Sequence, residues 1–315
     1  MTGSTGLVGA TLVLAASSRH EMLAGYRGTA IHFPHAEPIQ LDVAVPDSIG
    51  SAVARMRPTV IVHCAAETRV DWCEDHSQEA LRVNAEGTAH LSRAAASVGA
   101  RLLYISTDSV FDGSRGNYSE EEAVRPINVY ARSKWLGEEA VRRELPDHLV
   151  VRTNLYGWNV SRRENLAEWI LARLRCGERV LGFQDVVFSP LLVDDLVATL
   201  LEMLDRGLRG VYHVAARQAV SKFEFGRRLA RQFGLDEDLV HPVRLESANL
   251  RALRPLVTSL NPAKVEAALE RAMPGIEEGL RRFRRLEESG EVAARRSLCP
   301  RPVVPSTVLR EAARA

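Results

Sequence analysis

A threonine, a tyrosine and a lysine in the middle of the chain could together deliver a proton to a carbonyl. Thr107 lies in the run Ser106-Thr107-Asp108, and Tyr130 precedes Lys134 by four residues. On a helix, residues with this spacing project from one face, one turn apart. The lysine charge would lower the proton affinity of the phenol, and a hydroxyl at a strand end could complete the site. These residues predict a proton donor for carbonyl reduction, which also requires a source of hydride.

The first nine residues contain a glycine pattern that could dock a dinucleotide carrying that hydride. Gly3, Gly6 and Gly9 are spaced G-x-x-G-x-x-G and lead into the apolar run 10–14. Glycines permit a tight turn and a close approach of the backbone to a pyrophosphate, which rests on the N-terminus of the following helix. An ordinary glycine turn before a helix has the same pattern. We predict cofactor contacts from five residues of this loop: Gly3, Thr5, Gly6, Leu7 and Val8.

The strand that should precede this glycine loop is missing from the sequence. A dinucleotide-binding loop follows a buried strand of about six apolar residues, whereas this chain starts at Met1. In a doubly wound sheet with strand order 3-2-1-4-5-6, that strand is central. We therefore expect that the first strand is truncated and that upstream residues supply it. An intact mass of the native protein that matches Met1 as the true start would contradict this expectation.

The second and third predicted strands offer further contacts for a dinucleotide. Arg27 comes at the end of the second strand, where NAD enzymes carry an acidic residue. An arginine suits the 2′-phosphate of NADP(H), which we expect as the cofactor, with NAD(H) as the alternative. The other interpretation of Arg27 is a solvated loop residue. Asp42 and Val43 end the third strand, where they would lie near the adenine.

The fourth predicted strand and the helix after it add three more candidate cofactor residues. The apolar run 59–66 is typical of a strand buried on both faces of a parallel sheet. Its last residues, Ala65 and Ala66, are small enough to leave room for the cofactor. Asn84 lies on a helix predicted from about residue 77 to residue 98. Its amide could contribute to the site or make only a structural hydrogen bond.

The order of these elements predicts the fold class. The strand 101–108 carries Thr107 at its polar end, the edge at which open α/β sheets bind ligands. Strands alternate with helices from the glycine loop onward, which indicates an α/β fold with a doubly wound parallel (Rossmann) sheet. Tyr130 and Lys134 are expected on the helix that follows this strand.

Composition and charge narrow the kinds of partner. The 315 residues carry a formal net charge of +1, which gives no indication of nucleic acid or of an anionic membrane as a partner. No apolar run approaches the roughly 20 residues of a membrane span, and no secretory signal is visible. The four cysteines form no C-x-x-C pair. We therefore expect no disulfide framework and no metal site, and a location in the reducing cytoplasm.

Several motifs resemble those of the extended short-chain dehydrogenases/reductases, and within them the dTDP-4-dehydrorhamnose reductase family. The most discriminating stretch is Ser106-Thr107-Asp108-Ser109-Val110-Phe111-Asp112-Gly113, which is similar to the family's S-T-D-Y-V-F-D-G. His63-Cys64-Ala65-Ala66-Glu67, Val83-Asn84-Ala85-Glu86-Gly87-Thr88 and the Tyr130–Lys134 pair add to it. The resemblance is specific over residues 3–157 and looser to about residue 285.

The resemblance implies a reductase of a keto sugar nucleotide. Thr107 would hydrogen-bond the substrate carbonyl, Tyr130 would donate the proton, and Lys134 would tune Tyr130 and hold the nicotinamide ribose. All three are predicted to be catalytic, and Tyr130 and Lys134 also to contact the cofactor. Predicted contacts to the sugar nucleotide are Asp108, Ser109 and Asn154.

Two departures from the family concern the sugar. Ser109 stands where the family has a tyrosine, and Arg152-Thr153-Asn154-Leu155-Tyr156-Gly157 lacks the tryptophan of R-T-S-W-V-Y-G. The same run, R-x-N-x-Y-G, resembles the R-x-x-N-x-Y-G of nucleotide-sugar epimerases and dehydratases but is one residue shorter, and such an enzyme is one alternative function. The other is a non-catalytic NADP-binding protein, because the region also resembles the regulatory subunit of methionine adenosyltransferase. A homodimer is a further expectation.

The second half of the chain predicts a smaller α/β lobe for the substrate. We expect the Rossmann domain to comprise residues 1–157 and about 190–217, with the lobe formed by about 158–189 and 218–286. The run 210–215 is apolar enough to return to the main sheet. Residues 287–315 are charged and then rich in proline, which predicts a flexible tail.

Overall fold

A computed structural model describes residues 1–161 and 163–299. Its largest sheet is parallel, and the strands lie in the order β10-β5-β4-β3. Thr2 lies beside β3, and β1 and its partner β2 follow on the other side of Thr2. Within the described ranges, no helix combines the length and the apolar character that a membrane crossing needs. The strands of the main sheet are β1 Leu23–Tyr26, β2 Glu37–Gln40, β3 Val60–His63, β4 Arg101–Thr107, β5 Leu149–Thr153 and β10 Gly210–His213.

Helices cover both faces of this sheet, as predicted for a doubly wound fold. Along β4 successive side chains point to opposite faces, so that Leu103 packs with α1 and α8, whereas Leu102 and Tyr104 pack with α2, α5 and α6. The helices of this part are α1 Leu7–Ala16, α2 Pro46–Met56, α3 Val70–Asp75, α4 Ser77–Leu81, α5 Gly87–Ser97, α6 Val129–Glu144, α8 Val193–Asp205 and α10 Ala263–Leu269.

Thr2 stands at the centre of the sheet, between β1 and β3. It makes isolated parallel bridges to Gly25 of β1 and to His63 of β3. Its amide N–H donates to the Val62 carbonyl at 3.0 Å, and its hydroxyl oxygen lies 2.7 Å from Nδ1 of His63. A cavity of about 490 Å³, lined mainly by apolar side chains, continues from this position between the two strands. The sheet order is therefore that of the predicted fold, with Thr2 in the place of the first strand.

A second lobe packs beside the carboxyl edge of the sheet. Among the described residues, three small strand pairs lie in this region, namely β6 with β9, β7 with β12, and β8 with β11. Its core includes Phe225, Leu280 and Phe283. The elements are β6 Leu155–Tyr156, α7 Leu166–Arg175, β7 Val180–Phe183, β8 Val187–Phe188, β9 Leu191–Leu192, β11 Val220–Ser221, α9 Lys222–Phe233, β12 Val240–Val243 and α11 Ile276–Glu288. The residue limits of the two domains stay a prediction.

The flexible tail predicted from residue 287 is wrong for residues 287–299. Helix α12, Glu291–Ser297, follows α11 and buries Val292 in the core of the second lobe. Arg295 pairs with Asp194 at 2.5 Å, and Arg296 pairs with Glu168 at 2.6 Å. The charges that suggested a solvated tail thus have partners far away in sequence. The rest of the predicted tail, 300–315, lies outside the described residues.

Candidate active site

The structure brings the three predicted catalytic residues to one edge of the sheet. Thr107 is the last residue of β4 and is buried, while Tyr130 and Lys134 lie on the first turns of α6. Asn128 fixes where this helix begins, because its side chain accepts the Ala131 N–H at 2.8 Å. The side of α6 that carries Tyr130 and Lys134 faces the end of β4, as the Y-x-x-x-K spacing predicts.

Lys134 is buried against the sheet and is held by the backbone of β4. Its Nζ donates to the Ile105 carbonyl at 2.7 Å and lies 4.1 Å from the centre of the Tyr104 ring. Burial lowers the pKa of Lys134 to about 7, and the negative charge of Glu138 acts in the opposite direction. The ammonium is thus poised to titrate near neutral pH.

Tyr130 keeps its proton at neutral pH. Burial raises the pKa of its phenol well above the usual value, whereas the hydroxyl of Thr107 acts in the opposite direction. The Asp108 carboxyl is a further cause of the raised pKa. A phenol that holds its proton at neutral pH is the form that a proton donor requires.

Asp108 gathers the predicted substrate contacts into one hydrogen-bonded cluster. Its carboxyl accepts hydrogen bonds from Asn154 at 2.8 Å and from Thr107 and Ser109, each at 3.2 Å. Thr258, from the chain between α9 and α10, donates to the same carboxyl at 2.7 Å. Burial raises the pKa of Asp108, and the four donors oppose that effect. Sequence reasoning missed Thr258, because it lies 150 residues from Asp108 with no motif of its own.

The glycine loop has the shape that a dinucleotide pyrophosphate requires. A Cβ on Gly9 would lie 2.1 Å from the Gly3 carbonyl oxygen, and Gly3 itself has a positive φ of 69°. Gly6 is the N-cap of α1, and no side chain caps the first-turn N–H groups. Thr5 and Leu7 are half-buried beside it, and Val8 is buried. The residues present therefore fit a bound pyrophosphate, which would accept from these N–H groups.

The other predicted cofactor residues follow the strands on either side of Thr2. Arg27 comes directly after β1 and is exposed, and Val43 is buried beyond β2. The Asp42 carboxyl accepts the Ala44 N–H at 2.9 Å. Ala65 and Ala66 follow β3. Gly3 packs closely against Ala65, because a Cβ on Gly3 would lie only 2.6 Å from the Ala65 amide nitrogen.

Asn84 is used within the protein. It lies in a π-helical turn, Arg82–Glu86, which interrupts the single helix predicted from residue 77 to residue 98. Its amide oxygen accepts the Glu67 N–H at 2.8 Å, and its nitrogen donates to the Glu67 carbonyl and to the Ser133 hydroxyl, each at 2.9 Å. These contacts support the structural interpretation of Asn84, since they join α6 to the chain after β3.

Behind the site lies a buried ion pair for which the sequence predicted no function. Glu138, one turn after Lys134 on α6, pairs with Arg152 of β5 at 2.7 Å. The Ser106 hydroxyl donates to the same carboxylate at 2.5 Å. The residues that Glu138 contacts, Arg152 and Ser106, are far from it in sequence, and only the fold shows these contacts.

Comparison with known proteins identifies the family. The family model described as "RmlD substrate binding domain" matches residues 1–287. The dTDP-4-dehydrorhamnose reductase of Mycolicibacterium smegmatis is 34% identical over 268 residues, which are 83% of this chain and 77% of the relative. Methionine adenosyltransferase 2 subunit beta of Danio rerio is 29% identical over 275 residues, or 84% of this chain and 83% of the relative.

A solved structure agrees with both the family and the fold. The dTDP-4-dehydrorhamnose reductase of Bacillus anthracis, solved in complex with NADP, superposes with a TM-score of 0.79 at 30% identity, covering 90% of this chain and 96% of that one. The chain is thus an extended short-chain dehydrogenase/reductase, a class of oxidoreductases. Within that class it belongs to the RmlD substrate-binding-domain family. The resemblance inferred from the motifs is confirmed, as is the α/β Rossmann fold.

Proposed function

We propose that the protein is an NADPH-dependent reductase that converts a keto group of a sugar nucleotide into an alcohol. The observation that carries the proposal is the convergence of Thr107, Tyr130 and Lys134 on the end of β4. The glycine loop, with its uncapped helix N-terminus, supports a dinucleotide as the hydride source. Relatives named as dTDP-4-dehydrorhamnose reductases support a sugar nucleotide as the substrate.

The chain's own residues would perform the proton transfer. Thr107 would hold the carbonyl oxygen, and Tyr130 would donate its proton to that oxygen as negative charge develops on it. Lys134, when protonated, would stabilise the phenolate that remains and would contact the nicotinamide ribose. When bound, NADPH would supply the hydride for the carbonyl carbon and would thereby be oxidised to NADP⁺. Carbon gains the hydride and oxygen the proton, so that the product is the alcohol.

Arg27 is the residue on which the choice of NADPH depends. We expect Arg27→Ala to raise the KM for NADPH by about tenfold and to change the KM for NADH by less than about twofold, because only NADPH carries the 2′-phosphate. Steady-state kinetics with each cofactor measures both. Arg93→Ala, which removes another exposed arginine, is the control. Equal effects of Arg27→Ala on the two cofactors would contradict this role.

A panel of sugar nucleotides tests the proposed function. NADPH oxidation is followed at 340 nm with 4-keto sugars carried on different nucleotides, because Ser109 and the absence of the family's tryptophan from the run 152–157 leave the sugar open. We expect turnover with at least one 4-keto-6-deoxyhexose nucleotide. NADPH binding without turnover of any member would overturn the reductase proposal.

That negative outcome is the one expected of a second candidate function. The likeness to methionine adenosyltransferase 2 subunit beta favours a non-catalytic, NADP-binding partner of another enzyme. Such a protein would bind the dinucleotide without consuming it. The panel therefore separates the two functions, provided that NADPH binding is measured in the same samples.

A further inference from the structure

The buried carboxylate of Glu138 is tied to the strand that carries Thr107. Glu138 is completely buried, and Arg152, which is 2% exposed, donates to its two oxygens through Nε at 3.0 Å and Nη2 at 2.7 Å. The Ser106 hydroxyl donates to the same carboxylate. Ser106 is the residue immediately before Thr107, so the contact fixes the strand at the point where the site begins.

The strand and the helix of the site are joined through consecutive residues. The Ile105 carbonyl accepts from Lys134, the Ser106 hydroxyl donates to Glu138, and Thr107 then enters the site. Lys134 and Glu138 are one helical turn apart on α6 and both face β4. Glu138 pairs directly with Arg152, and its negative charge also acts on Lys134.

We propose that Glu138 is a positioning residue, which holds the end of β4 against α6 and keeps a negative charge beside the ammonium of Lys134. The inference rests on the proposed function, because it assigns Glu138 to the reductase site. This role differs from that of an ion pair that only stabilises the fold. For stability alone Glu138 would need the contact with Arg152, but not the contact with Ser106 or its effect on Lys134.

The groups around Lys134 show why this charge matters. Glu138 faces it from α6, Cys64 and His63 lie at the end of β3, and Tyr104 faces it from β4. Burial lowers the pKa of His63 to about 3 and raises the pKa of Cys64 to about 12, so both are neutral at pH 7. Tyr104 also keeps its proton, because burial raises its pKa. Glu138 is therefore the charged group next to Lys134 that offsets the effect of burial.

The test is the pKa of Lys134 in Glu138→Gln, a variant that keeps the size of the side chain and its hydrogen-bond acceptor. Removing the negative charge favours the neutral amine, so the pKa of Lys134 falls and the alkaline limb of the kcat/KM profile moves to lower pH, by about one pH unit. Glu139→Gln removes the exposed neighbouring carboxylate and should move neither quantity. A Lys134 pKa in Glu138→Gln within about 0.3 of the wild-type value would overturn the proposal.

Measurement by NMR of protein labelled with ¹⁵N at the lysine ζ position, without substrate, makes the test independent of turnover. If no sugar nucleotide is reduced but the Lys134 pKa falls in Glu138→Gln, the proposed function fails while the charge effect of Glu138 stands.

If Glu138→Gln does not fold, Ser106→Ala replaces it, because it keeps the pair between Glu138 and Arg152. We expect Ser106→Ala to lower kcat by about tenfold with an unchanged alkaline limb, because Thr107 is then less well positioned. A kcat within about twofold of wild type would count against the positioning role.

Discussion

Replacing Tyr130 with phenylalanine is expected to lower kcat by about 10²- to 10⁴-fold, the usual contribution of a general acid. The phenol has a raised pKa and lies near Thr107 at the end of β4, where we place the carbonyl oxygen, so it can supply the proton. Phenylalanine removes only the hydroxyl, and the glycine loop does not depend on it. The affinity for NADPH should therefore stay within about threefold of wild type, measured by fluorescence titration.

Tyr118→Phe is the matched control for this substitution. The Tyr118 hydroxyl donates to Asp112 at 2.7 Å and its ring stacks on Phe111, outside the proposed catalytic group. We expect its kcat to remain within about threefold of wild type. If Tyr130→Phe kept more than about a tenth of the wild-type kcat, another group would have to donate the proton.

Arg152→Met should cause a large loss of stability, by about 3–5 kcal/mol in the free energy of unfolding. Arg152 is buried and is the ion-pair partner of Glu138, which is itself completely buried. Methionine is long enough to fill the space of the side chain but leaves a buried carboxylate without a cation. That carboxylate must either remain charged at high cost or take up a proton. Urea unfolding followed by circular dichroism measures the loss.

The control for the buried pair is an exposed pair on the same helix. Arg142 contacts Glu139 at 3.1 Å, and about half of each side chain is exposed to solvent. Water screens such a pair, so Arg142→Met should cost no more than about 0.5 kcal/mol. If Arg152→Met were also destabilised by less than about 1 kcal/mol, Glu138 would not depend on Arg152 for its charge.

The local parts of the site could be predicted from the sequence because each is encoded over a short stretch. The G-x-x-G-x-x-G spacing predicts a loop at the N-terminus of a helix, and Gly9 indeed has no room for a side chain. The Tyr130–Lys134 spacing predicts a shared helical face, and α6 provides it. The ends of β1, β3 and β4 were recognisable because apolar runs give way there to polar or small residues.

What the sequence did not predict depends on contacts between distant residues. Thr258 contacts Asp108 from a position 150 residues further along the chain. The charged sequence of α12 resembles that of a disordered tail, but its Arg295 and Arg296 pair with Asp194 and Glu168, which lie far away in sequence. Asn84 has two interpretations from the sequence, and its hydrogen bonds to Glu67 and Ser133, which lie on two other segments, favour the structural one. In each case the partner, rather than the residue type, determines the role.

Transfer of deuterium is the most direct measurement of the central claim that this site reduces a keto sugar nucleotide. The protein is incubated with NADPH deuterated at the transferred position of nicotinamide C4 and with a 4-keto-6-deoxyhexose nucleotide, and the product is examined by NMR and mass spectrometry. We expect one deuterium at C4 of the sugar for each NADPH consumed, and loss of this product with Tyr130→Phe. An altered sugar without deuterium and without NADPH consumption would indicate an epimerase or a dehydratase instead of a reductase.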